Sequence, residues 1–246
     1  MMSIQADDTR ALALQAAIHG GDVETLQRHL RADTALATAR VVDRKGVGRT
    51  LLHIVADWPG HFPNGAQTVA VLVASGADAN ARVILAGPHP SAETPLHWAA
   101  SSDDVGVLDA LLDGGADIEA PGAVFTGGTA MSDAVVFAQW RAARRLLERG
   151  AATTIWQAAA LGLVDRVQDY CSVEPSLERQ QITNAFWHAC RGGQQSTAAY
   201  LLDRGADLNW LGYDHKTPSD AAREGGDDAL IQWLRERGAK RAIDLI

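Results

Sequence analysis

Two short strings recur along this chain in a fixed order. TLLHIVA (50–56) and TPLHWAA (94–100) are near copies. GADAN (76–80), GADIE (115–119) and GADLN (205–209) form a second set, with RGAA (149–152) and RGAK (237–240) as weaker copies. Aligning both sets predicts seven units whose alanine-rich segments centre near Ala17, Ala56, Ala100, Ala134, Ala159, Ala189 and Ala222. Units of about 33 residues would fill nearly the whole chain, so the expectation is a series of thin cores, not one large one.

Each unit reads as helix, turn, helix, loop. In the third, Thr94 caps the first helix and Pro95 stands at its first position, where a missing N–H is harmless. Ala99 and Ala100 let neighbouring helices approach closely. Leu108, Leu111 and Leu112 then make one apolar face, and Gly114 and Gly115 end the second helix. Val69, Leu72 and Val73, and Leu230, Ile231 and Leu234, repeat that face elsewhere.

TPLHWAA followed by LLDGGADIEA resembles the ankyrin repeat, and the likeness extends over essentially the whole chain, with degenerate first and fifth units. It implies an all-α fold: an α-solenoid of about seven helix-turn-helix repeats with hairpin-like finger loops. The expected repeats are 9–40, 41–80, 81–120, 121–152, 153–181, 182–212 and 213–246 in one domain, the last closed by the charged end LRERGAKR. The family usually binds other proteins in a groove lined by fingers and first helices. Its partner-facing positions fall here on Asp57 and Trp58, Ser101 and Ser102, Val136 and Phe137, Ala160 and Leu161, and Arg191 and Gly192. Arg191 would meet an anion.

Function is expected where the array departs from the pattern, because shared positions are explained by packing. Unit two carries an insertion between its helices, DWPGHFPNG (57–65), and the finger ARVILAGPHPSAE (81–93) is also long. The next finger, PGAVFTGG (121–128), carries apolar Val124 and Phe125. Between units four and five the finger is missing, because GAATTIW runs straight into the next helix near Trp156. Extra residues on one face of an array mark its binding face. A first helix of about ten residues is about 15 Å long, so the two insertions start at opposite ends of it and are expected to fold towards each other over a pocket.

Seven tryptophans are unusual beside four phenylalanines and three tyrosines. Trp98 is expected in the core, and Trp156 and Trp187 in the slot that holds His53 and His97 in the best units. Trp140 and Trp233 fall on second helices as packing. Trp58, in an insertion, and Trp210, in a finger with Tyr213, are recognition candidates. His53 and His97 would brace turns by hydrogen bonding. If the chain were an acid–base enzyme, His53, Asp57, His61 and His89 would be its candidate residues, since imidazole titrates near neutral pH. No metal-binding spacing, P-loop, dinucleotide fingerprint or nucleophile elbow is present, so no metal or cofactor is expected.

A net charge of −8 argues against nucleic acid and anionic membrane as partners. The start, MMSIQADDTR, does not read as a signal peptide, and no apolar run spans a bilayer, so a cytoplasmic protein is expected, and a monomer because capped solenoids are usually self-sufficient. Cys171 and Cys190 form no disulfide framework. The leading expectation is a scaffold that binds a protein or peptide. The alternative is a protein that binds a small apolar ligand with an anionic group, or a cofactor-independent acid–base enzyme, with a pocket at the insertions 57–65 and 81–93.

Overall fold

The computed structural model describes residues 2–85, 92–173 and 177–245. It is an all-α ankyrin-type fold that divides into two compact units, Met1–Ala151 and Ala152–Ile246. The division falls within the stretch where the finger is missing from the sequence.

In unit one the first helices are α1 (Thr9–Gly20), α3 (Leu51–Ala56), α5 (Pro95–Ser101) and α7 (Ala130–Val136). Their partners are α2 (Val23–Ala32), α4 (Gly65–Ala74), α6 (Val105–Asp113) and α8 (Trp140–Glu148). First helices pack side by side in one layer, α1 on α3, α3 on α5 and α5 on α7, and α2, α4, α6 and α8 form a second layer in the same order. Unit two repeats the plan with α9 (Ile155–Ala160), α10 (Val164–Val173), α11 (Arg179–Arg191), α12 (Gln195–Asp203), α13 (Pro218–Gly225) and α14 (Asp228–Glu236). Among the described residues no helix is long and apolar enough to cross a membrane.

The recurring GA strings are helix stops. Gly76, Gly115, Gly150, Gly205 and Gly238 all hold positive φ, between 84° and 97°, a conformation that only glycine adopts without steric cost. The alanine after each glycine then donates to a carbonyl of the last helical turn, as Ala116 does to Leu111 at 2.9 Å and Ala206 to Leu201 at 3.2 Å. The buried stripe of each second helix, such as Val107, Leu108 and Leu111 in α6, supplies the apolar contacts between the layers. Each such side chain is worth about 1.5–3 kcal/mol in burial.

The described residues hold three strands, two of them in a finger. β2 (Arg40–Val42) and β3 (Gly48–Thr50) form the first finger, an antiparallel hairpin in which Val41 faces Arg49. A strand that sequence patterning does not reveal, β1 (Ser3–Gln5), joins β2 in parallel with Ile4 opposite Val41, and both residues are buried. The far edge of β3 meets the second finger through Gly48 and Ile84.

Candidate functional site

The Thr-x-x-His box that opens α3 and α5 ties each of these two repeats to the next. Thr50 and His53 bond at 2.8 Å between Oγ1 and Nδ1, and Thr94 and His97 do so at 2.9 Å. The other ring nitrogen, Nε2, donates onward to the carbonyl just before the next cap: His53 to Glu93 at 3.1 Å and His97 to Gly128 at 3.2 Å. A carbonyl can only accept, so Nε2 carries the hydrogen and Nδ1 accepts. Both rings are therefore held neutral, and burial pushes their pKa down, to about 3 for His53 and about 4 for His97.

Trp187 stands in the same slot of α11, and its indole Nε1 donates to the Lys216 carbonyl at 3.0 Å, again just before a capping threonine. Trp156 departs from expectation. The box of α9 is Thr154 with Gln157, so Gln157 holds the histidine slot and Trp156 lies one residue earlier. An amide oxygen accepts the Thr154 N–H as well as an imidazole nitrogen does, and this decides the register. Ala160, expected to face a partner, is buried instead.

The expected partner-facing residues separate into open and closed ones. Trp58 is 80% exposed, Phe125 70% and Phe137 41%. The rings of Phe125 and Phe137 lie 5.8 Å apart, so the third finger reaches back across its own first helix. Ser102 is buried instead of exposed, because its Oγ donates to the Ala56 carbonyl at 3.1 Å, and the Ser101 Oγ turns back to the Trp98 carbonyl. Trp98 is only partly buried. Its Nε1 donates to Glu93 Oε2 at 2.9 Å and its ring meets His53 edge-on at 5.0 Å.

The four acid–base candidates receive separate roles. Both ring nitrogens of His53 are engaged. Asp57 pairs with Arg49 at 2.8 Å and accepts the Trp58 N–H. The insertion 57–65 is held to the neighbouring repeats: the His61 backbone N–H donates to Asp104 at 2.7 Å, while Phe62 stacks on His19 at 4.4 Å. The His61 ring side is exposed. His89 lies outside the described residues, as does much of the second insertion.

Two further clusters went unread in the sequence. In unit two, His188 contacts Trp156 at 4.7 Å, Trp187 at 5.0 Å and Tyr213 at 5.6 Å between ring centroids, and Tyr213 meets Trp210 at 5.9 Å. Arg191 lies over the Trp187 ring at 5.8 Å, with Glu224 and Asp214 near enough to act on its charge. His188 is buried with its Nδ1 unpartnered among the described residues, and burial pushes its pKa to about 3. In unit one, Asp133 is only 1% exposed and faces Glu93. A slot filled by Trp98 in one repeat holds Asp133 in the next and His188 further on, a signal that aligning the repeats would expose.

Comparison with known proteins agrees with this geometry. The family model of the ankyrin repeat matches residues 93–123, the third unit. An ankyrin repeat and KH domain-containing protein of Caenorhabditis briggsae is 30% identical over 189 residues, 73% of this chain. The chain spans 7% of that relative's length.

Proposed function

We propose, from the premise that this chain belongs to the ankyrin-repeat proteins, that it binds a protein or peptide on the first-helix face of unit one. Ankyrin repeats are in general protein-interaction modules; the choice of face is our own reading. One observation carries it: three large aromatic side chains in the fingers and turns beside the first helices, Trp58, Phe125 and Phe137, are exposed. Trp58 and Phe137 stand within two residues of the ends of α3 and α7. Aromatic rings supply much contact area at little entropic cost, and they dominate binding energy at interfaces. The second helices of the same unit carry instead an ion-paired lattice, in which Arg145 and Arg149 both hold Asp109 and Arg149 also holds Asp113.

The test is a captured partner, mapped by crosslinking and titrated against variants. Trp58→Ala and Phe125→Ala should each weaken binding about 10- to 100-fold, with circular dichroism and melting unchanged. Crosslinks confined to α2, α4, α6 and α8, with affinity untouched by either variant, would rule the reading out.

A second reading attaches to unit two. The unpartnered His188 Nδ1 beside Trp156, Trp187 and Arg191 supports a small apolar ligand with an anionic group. Aromatic carboxylates should raise the melting point of the protein but not of Arg191→Ala. A flat response in both defeats it.

A further inference from the structure

The third finger does more than project from its repeat. Its ends are fixed. Gly122 donates to the carbonyls of Gly127 and Gly128 at 3.1 and 2.8 Å, and Ala123 donates to Gly128 at 2.9 Å. Arg82 bonds the carbonyls of both Ala92 and Pro121 and so pins the root of this finger to the preceding one. Between Gly122 at φ 144° and Gly127 at φ 69°, the tip turns back over α7. Ala123 is fully buried there, and Phe125 rests against Phe137.

Beneath the tip are two carboxyl groups. Glu93 accepts the Trp98 indole N–H at 2.9 Å and faces the backbone N–H of Val124 in the finger, while Asp133 faces Glu93 from α7. Asp133 Oδ2 meets no hydrogen-bond partner among the described residues. With Asp133 buried and Glu93 half-buried, the two carboxylates repel each other with little water between them to screen it, which disfavours ionising both. One proton between them removes the repulsion and lets Glu93 hold both Trp98 and the finger.

We infer that the finger Gly122–Gly128 is a proton-dependent latch: one proton shared by Glu93 and Asp133 keeps it closed over the first-helix face of unit one, and loss of that proton releases it. Release would uncover Trp98 and Asp133. The consequence for binding rests on the reading that this face takes a partner; the latch itself does not, and its test uses no partner.

The surroundings leave the pair to itself. From α5 it meets the Trp98 indole, while the neutral His97 bonds the Gly128 carbonyl at the finger's end, and from α3 the neutral His53 bonds the Glu93 carbonyl. Arg82 of the second finger is turned to carbonyls, and Arg40 and Arg49 of the first finger act on His53. Glu93 is the one charge acting on Asp133 among the described residues. Burial and that charge together push the Asp133 carboxyl up to about 8, and burial raises Glu93 as well. The shared proton is therefore held at neutral pH and lost in mild alkali.

Amide hydrogen exchange of the intact chain between pH 6 and 9.5, corrected for intrinsic exchange rates, tests this directly. Relative to the amides of α6, protection at Ala123–Gly127 should fall about tenfold per pH unit above pH 8. Asp133→Asn places a permanent N–H donor where the proton was and should keep the finger protected throughout. Glu93→Gln reports the same point should the first variant fold poorly. A wild-type profile that stays flat, or the same alkaline loss in both variants, overturns the inference.

Discussion

The buried histidines show how one slot can both tie repeats together and set the stability of the protein against pH. His53 and His97 accept from a threonine and donate to a carbonyl, so protonation would destroy the acceptor. Their pKa values in the fold, about 3 and about 4, lie below the unfolded value near 6.5. The unfolded chain therefore binds more protons as pH falls through 6.5, and stability present above that point is lost below it. Each residue contributes about 1.4 kcal/mol per pH unit in that limb. Asp133 has the opposite sign: its pKa is raised in the fold, so stability falls as pH rises towards 8. Denaturant midpoints should peak near pH 6.5. Gln157 already fills the histidine slot in α9, so His53→Gln should fold and make the acid limb shallower by about one proton. An acid limb unchanged in that variant would show that His53 is not what titrates.

At the level of elements, close approach of helices sets the tolerances. Gly192 closes α11 in the ordinary helical region at φ −80°, so its role is spatial and not conformational. A Cβ there would run into the Ala160 carbonyl at the end of α9, and backbone cannot step aside as a side chain can. Gly192→Ala should therefore cost about 1–3 kcal/mol, read as a lowered denaturation midpoint. A change below about 0.5 kcal/mol would mean that α9 and α11 have room to part. The boundaries of these helices follow from local rules. Asp104 and Thr217 accept from the first turn of α6 and of the last repeat's α13, as capping residues at those positions should. α11 is the exception. Asn184 stands where other repeats have a capping threonine, yet the helix runs on through it from Glu178, which caps in its place.

The molecule as a whole gathers its cores into two compact units, each with its own buried residues. In unit two these include Val167, Phe186, Leu201 and Leu230, and in unit one Leu52, Leu72, Leu108 and Met131. Energy in repeat proteins is carried by nearest neighbours, so damage should remain local. Leu230→Ala, which removes about 2–5 kcal/mol of packing, should accelerate amide exchange in α11–α14 while α3–α6 keep most of their protection. Equal acceleration throughout would mean a single cooperative body.

The repeat plan was legible in residues because its signals are local. A glycine at positive φ, a capping threonine and an apolar stripe at helical spacing each act within a few positions, so the chain alone determined the helical fold, the repeat type and the bracing role of His53 and His97. Trp58 could be singled out for a similar reason, since it stands in an insertion with no packing role in the repeat. What only the tertiary structure decided depends on residues far apart in the chain. Gln157 displaced Trp156 from its slot by competing for one backbone N–H. Ser102 turned inward to a carbonyl of the preceding repeat. Glu93 and Asp133, forty positions apart, became a pair because the fold sets the end of the second finger against α7, where Asp133 is buried and Glu93 half-buried. No spacing in the sequence encodes that meeting, because it exists only once the fold has brought one finger's end against the next repeat's first helix.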